Sequence, residues 1–216
     1  MSKANNMNKP KKSPPDSAIA VTPQANLLYQ ALETEMGGVE IYTTALECVQ
    51  NDELREEWEK YLEQTKEHVE VVRAVCASLG LDPDRETPGR QVVRTIGKAL
   101  VKAMQLAIGA GEPRDAEIVA AECVTLAETK DHSNWVLIGK LAEARTGSEQ
   151  ASLQSAYDRV EDEEDEHLYH SSGWARELWL DSLDLPAVLP PPEEEEDVHT
   201  QEEAAQVKRK SAAARS

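Results

Sequence analysis

Along most of the chain, apolar residues recur at alternating spacings of four and three, the period that gathers them on one stripe of a helix. Thr22 followed by Pro23 is an N-cap with proline at the first helical position, predicting a first helix that runs to about Gln50. A tight Asn51-Asp52 turn opens a second helix, stopped at Gly80 with Pro83 beyond. Thr87-Pro88 repeats the opening signal for a third helix to about Ile108. Pro113 opens a fourth to about Arg145, and Ser148 caps a fifth to about Leu183. Strand-like alternation is missing, so the fold class is all-α.

The stripes differ in what they carry. On the second helix the stripe is Leu54, Trp58, Tyr61, Thr65, His68, Val72, Val75 and Leu79. On the fifth it is Leu153, Tyr157, Val160, Glu164, His167, Ser171, Trp174 and Leu178. Every residue of one lies 99 positions from its counterpart in the other, as Leu153 does from Leu54, so Thr65/His68 and Glu164/His167 are equivalent. This predicts two helical hairpins, the first with the second helix and the fourth with the fifth, joined by a long crossover that contains the third.

The first helix places Glu35 in an otherwise apolar seam of Leu28, Leu32, Val39, Tyr42, Leu46 and Val49, while Glu33 and Glu40 are expected to face solvent. The fourth helix is apolar nearly all round. One stripe, through Val124, Glu128, Asp131, Trp135, Ile138 and Ala142, turns Asp131 and Glu128 inward; a competing one, through Val119, Cys123, Leu126, Lys130, Leu137 and Leu141, buries Lys130. The first is preferred on symmetry, because Asp131 precedes Glu164 and His167 by 33 and 36 residues, close to the 30 and 33 that separate Glu35 from Thr65 and His68. His132 and Glu122 lie on another face.

A buried, unpaired carboxylate is costly, and such a group is protonated, hydrogen-bonded or held by a cation. Glu35, His68, Glu164 and His167 are therefore either an internally satisfied polar layer or ligands. Glu-x-x-His offers two ligands from one helix, since i and i+3 share a face. The candidate metal set is Glu35, His68, Glu128, Asp131, Glu164 and His167. The rest of the acidic run from Glu161 to Glu166 reads as a solvated face, and Glu166-His167-Leu168-Tyr169-His170 has the wrong order for a zinc-protease motif.

Charge narrows the picture. The 216 residues carry a formal charge of −18, which argues against sequence-independent nucleic-acid binding. Uncharged runs are too short for a membrane span, and no apolar core follows the basic N-terminus, so a cytoplasmic protein is expected. Residues 1–21 (+3) and 186–216 (−3) read as disordered tails, which leaves the whole −18 on a domain at 22–185. Cys48, Cys76 and Cys123, without a C-x-x-C pair, read as small buried apolar residues. Arg90, Arg94, Lys98 and Lys102 form a basic band expected to pair with acidic neighbours, with docking of an anionic surface or a second subunit as the alternative. Phosphate-loop, dinucleotide and serine-hydrolase motifs are missing.

With these residues in place, the chain resembles the ferritin-like superfamily across about residues 24–183, and LEQTKEHVEVVRAVCASLG resembles bacterial ferritin-like proteins of unknown function associated with stress responses. The resemblance implies a four-helix bundle with a carboxylate on its first and third helices and Glu-x-x-His on its second and fourth. Glu164 and His167 match that motif; Thr65 stands where the family has Glu, with His68 retained. Iron or manganese is implied, with zinc able to compete. With two irons, Fe(II) oxidation by O2 or peroxide is implied, with Glu35, Asp131 and Glu164 as carboxylate ligands and His68 and His167 as imidazole ligands. Thr65 favours a mononuclear site, an altered dinuclear site, or a lost one. Two functions follow as expectations: a ferritin-like metalloprotein handling iron or reactive oxygen, with manganese-catalase-like activity as a variant, or a non-catalytic helical bundle that works by association, including with copies of itself.

Overall fold

The computed structural model describes residues 21–214, so the expected N-terminal tail lies outside the described residues except at Val21. The elements are α1 (Pro23–Cys48), α2 (Asp52–Ser78), α3 (Pro88–Ala110), α4 (Pro113–Glu143), α5 (Gly147–Ser182), α6 (Pro192–Glu195) and α7 (Gln201–Ala214). Among the described residues there is no strand, and no helix is long and apolar enough to cross a membrane.

Local chemistry sets the helix starts. The Thr22 hydroxyl accepts from the Ala25 N–H, the Asn51 side chain from Glu53 and Leu54, and the Thr87 hydroxyl from Arg90, each satisfying donors that the first helical turn leaves free. Gly111, at φ 88°, ends α3 in the left-handed conformation that glycine adopts without strain. Ser148 is not a cap: the cap position is Thr146, two residues earlier, and α5 begins at Gly147.

α1 packs against α2 and α4, α5 against α4 and α2, so these four form a closed ring, with α3 laid outside across α1 and α4. The apolar core of the ring is divided. One cluster holds Tyr42, Leu54, Trp58, Tyr61, Val124 and Trp174; the other holds Leu32, Val72, Trp135, Ile138, Leu153 and Val160. On each helix the break falls at the polar positions: Glu35 between Leu32 and Tyr42, His68 between Tyr61 and Val72, Asp131 between Val124 and Trp135, and Glu164 and His167 between Val160 and Trp174. Each large apolar side chain contributes roughly 1.5–3 kcal/mol on burial, and a charged group at the same depth contributes nothing of the kind. The polar layer is tolerated because apolar clusters on both sides hold the ring together.

Two expectations fail in informative ways. Glu33 does not face solvent: it is 5% exposed and ion-paired with Arg90 at 2.8 Å and Arg94 at 2.5 Å. The stripe analysis allowed α1 one apolar face, but α3 packs on the opposite side and covers Glu33. Half of the basic band thus pairs as expected, while Lys98 and Lys102 stay exposed.

The segment from 186 onward is not a solvated tail through its described length. It returns along α5 and forms α6 and α7, with Val198 and Val207 buried. Arg176 grips both carboxylate oxygens of Glu193 at 2.6 Å, the Trp174 indole donates to Glu194, and the Val188 N–H donates to Glu177. Gly173 makes room, since a Cβ there would lie 2.8 Å from Glu193 Oε2 and 2.9 Å from Pro191 Cβ. Cys48, Cys76 and Cys123 are free and buried as expected, and burial pushes each thiol up to about 11.

Mid-helix Gly37 supplies a test of packing. A Cβ added there meets nothing within 4 Å, whereas one at Gly139 would lie 2.7 Å from the Tyr157 ring. Gly37→Ala is expected to raise the unfolding free energy by roughly 0.5–1 kcal/mol in urea titration, and Gly139→Ala to lower it. Equal effects at the two positions would contradict this packing.

Candidate metal centre

The break in the core brings six side chains together. Glu35 comes from α1, His68 from α2, Glu128 and Asp131 from α4, and Glu164 and His167 from α5, none more than 4% exposed. The inward face of α4 is the one carrying Glu128, Asp131 and Trp135; Lys130 is half-buried beside it. Ligand atoms of His68, Glu164 and His167 all lie within 4.8 Å of one another, and so do those of Glu35, Asp131 and Glu164. The two groups share Glu164.

The imidazoles are oriented from outside. His167 Nε2 lies 3.0 Å from Gln64 Oε1, an acceptor, so Nε2 donates to it and Nδ1 is the nitrogen turned toward the carboxylates. That Nδ1 faces Glu128 Oε2 at 3.7 Å and Glu164 Oε1 at 3.8 Å and has no hydrogen-bond partner. His68 donates from Nε2 to Glu163 at 2.7 Å, while its Nδ1 lies 2.9 Å from Glu164 Oε1 and 3.7 Å from Glu35 Oε2. Burial disfavours the His68 cation, but the hydrogen bonds to Glu163 and Glu164 outweigh it and push the ring up to about 9. Protonated His68 thus sets a positive charge among these carboxylates.

That charge is too little. Burial first, then Asp131 and Glu164, hold the Glu35 carboxyl far above its ordinary range; burial first, then Glu164 and Glu128, do the same for Asp131. No Lys or Arg among the described residues pairs with Glu35, Glu128, Asp131 or Glu164. Trp135 Nε1–H donates to Glu35 Oε1 at 2.7 Å, yet Glu35 Oε2, Glu128 Oε2, Asp131 Oδ1 and Glu164 Oε2 remain buried without a partner. Buried polar atoms are nearly always satisfied, and here the unsatisfied ones are all acceptors turned toward one another. Acceptors facing acceptors call for protons or cations.

The remaining polar residues of the seams fall outside this group. Thr65 donates to the Tyr61 carbonyl and packs its methyl 3.1 Å from the Cβ position of Gly38, filling a close approach of α1 and α2. His170 is buried against Tyr61 at 2.9 Å and Glu57 at 3.1 Å. His132 pairs with Asp165 at 2.8 Å. The Tyr61 ring centroid is 4.1 Å from that of His167, and burial, reinforced by Glu128, keeps the Tyr42 phenol protonated. Tyr157 turns away to Glu161. In a further group of Glu166, Asp197 and His199, Lys60 pairs with Glu166 at 2.6 Å and His199 with Asp197 at 3.2 Å.

Sequence reasoning missed the orienting residues. Glu163 sits in a run that reads as a solvated face, Gln64 lies off the apolar stripe of α2, and Trp135 reads as core. Their only signal is position, next to a ligand or one turn from it. Outer partners of ligating histidines typically govern 10- to 100-fold in metal affinity. Glu163→Ala is expected to weaken metal binding by about that factor in a chelator-competition titration, with helical content unchanged; unaltered affinity would remove Glu163 from this role. Comparison of the chain with family models, with curated proteins and with solved structures gives no match.

Proposed function

We propose that the chain is a ferritin-like four-helix metalloprotein whose buried centre holds two divalent cations, with Glu164 shared between them, and that it handles iron or reactive oxygen. One observation carries this: six inward-facing ligands from four helices, with unpartnered acceptor atoms on five of them, at the break between two apolar clusters. The charge count supports two ions over one. Glu35, Glu128, Asp131 and Glu164 bring four negative charges when ionised, which two divalent cations neutralise with both imidazoles neutral; a single ion neutralises two of the four and leaves the rest to His68 and to protons.

The same count answers the departure at Thr65. The missing carboxylate of α2 is made up by α4, where Glu128 and Asp131 are three residues apart on one face. Four carboxylates and two histidines make up the donor complement of dinuclear carboxylate bundles. Oxygen-rich ligation with two imidazoles suits iron or manganese, with zinc able to compete. Iron bound there would supply electron transfer to dioxygen or peroxide. The protein's own contribution is to hold the ligands at one depth, keep water out, and fix the imidazoles through Glu163 and Gln64.

The test is metal analysis of protein purified without a histidine tag, followed by anaerobic titration with Fe(II) and exposure to air. Uptake approaching two equivalents, with oxidation on exposure, is expected. One equivalent would establish a mononuclear centre and overturn the dinuclear assignment. Protein that takes up neither Fe(II) nor Mn(II) would leave an internally bonded polar layer and a bundle working by association.

A further inference from the structure

We propose that a groove between α1, α3 and α4, separate from the metal centre, binds a small molecule with an apolar body and a single carboxylate, of the size of a medium-chain fatty acid. This does not depend on whether metal binds.

The groove encloses about 200 Å³. That is below the usual range for drug-sized ligands and suits a slender occupant. Its walls are Ile41 of α1, Val93, Ile96 and Leu100 of α3, and Leu126 of α4. Ile96 and Leu126 at the rim are 52% and 60% exposed, so apolar surface remains uncovered at the mouth. The floor reaches the α1 backbone at Gly37, where an added Cβ would still meet nothing within 4 Å. The space is therefore present without any side chain having to move.

Part of the lining is polar. Lys130 belongs to it, and its ammonium donates to Asn134 Oδ1. Asn134 is 2% exposed and is itself oriented by donating from Nδ2 to Thr34 Oγ1 at 3.0 Å. This leaves Lys130 positioned by neutral groups, with no carboxylate paired to it among the described residues; the adjacent Asp131 acts on it only through its charge, without an ion-pair contact. Glu33 also lines the groove, but Arg90 and Arg94 neutralise it. Lys130 therefore sets the charge preference of the groove. A half-buried ammonium lining an apolar cleft selects a monoanionic head with an apolar tail, and a carboxylate gives it the charge-assisted hydrogen bond it lacks.

Isothermal titration of the full chain with octanoate, 1-octanol and octyltrimethylammonium separates head from tail recognition. Octanoate is expected to bind roughly tenfold or more tightly than octanol, the gain of one charge-assisted contact, and the cationic amphiphile least. Lys130→Met should erase the advantage of octanoate over octanol, and Lys130→Arg should retain it. Leu126→Gln, an exposed-site change that leaves the fold and the metal content intact, should weaken octanoate and octanol alike. Equal binding of the three amphiphiles, no binding of octanoate, or octanoate binding untouched by both Lys130→Met and Leu126→Gln would overturn the assignment.

Discussion

Glu164→Gln is expected to empty both cation positions and, in the metal-free protein, to raise the thermal unfolding midpoint. The two effects have opposite signs because one charge serves both. Glu164 belongs to the group with His68 and His167 and to the group with Glu35 and Asp131, so neutralising it weakens both positions. The loss should exceed the roughly 10- to 100-fold attached to outer partners such as Glu163. Without metal, the same carboxylate repels Glu35 and Asp131, whose carboxyl groups are already held far above their ordinary range by burial and by their neighbours. Gln removes that repulsion and still accepts from His68 Nδ1 through its amide oxygen. In wild-type protein, metal at about 1,000 times its Kd should add about 4 kcal/mol of stability, which the variant forgoes. Metal analysis and thermal melts with and without chelator read both effects. A variant that retains stoichiometric metal, or whose metal-free form melts below wild type, contradicts the shared role of Glu164.

Glu33→Gln is expected to act in the opposite way: a loss of stability of about 3 kcal/mol with no loss of metal. Removing one partner of a buried ion pair leaves the other charge uncompensated, which typically costs 3–5 kcal/mol. The low end applies because Arg90 keeps bonds to the carbonyls of Pro83 and Arg85, and Arg94 keeps Glu86. The pH dependence follows from the same contacts. Burial pushes the Glu33 carboxyl up, but the hydrogen bonds from Arg94 and Arg90 prevail and hold it below the usual 4.5. Its folded-state value is depressed, so its contribution is complete above the unfolded value near 4.5 and fades as pH falls through the folded one. Urea unfolding at pH 7 and below pH 4 should show the gap between wild type and variant closing in acid. A constant gap, or metal content that falls along with stability, would place Glu33 in a different role.

These two glutamates mark how far sequence carries toward the site. Glu164 stood out because a heptad-spaced apolar stripe was interrupted by Glu-x-x-His at the depth where an equivalent stripe, 99 residues earlier, was interrupted by Thr65 and His68. Periodicity reports which residues of one helix share a face, and that was enough to bring six side chains into one candidate set. Glu33 was misread because periodicity is silent on how many neighbours a helix has. α1 touches α2, α4 and α3, and buries Leu32, Glu33, Thr34 and Glu35 in succession. The strap from 186 onward escaped for a related reason: it is held by single long-range contacts, Arg176 to Glu193 and Trp174 to Glu194, which leave no repeating pattern.

The sequence by itself determined the five long helices, the starts of the first four, and the residues interrupting their apolar faces, because capping, proline and helical period act within a few residues. Only the tertiary structure decided which way each interruption turns: that Gln64 and Glu163 take the outer nitrogens of His167 and His68, that Glu128 and Asp131 of α4 are both buried among the other ligand candidates, and that Lys130 lines a groove instead of joining the centre beside it. Those outcomes depend on the rotation and spacing of helices far apart in the chain, set by the packing of side chains that no local pattern relates.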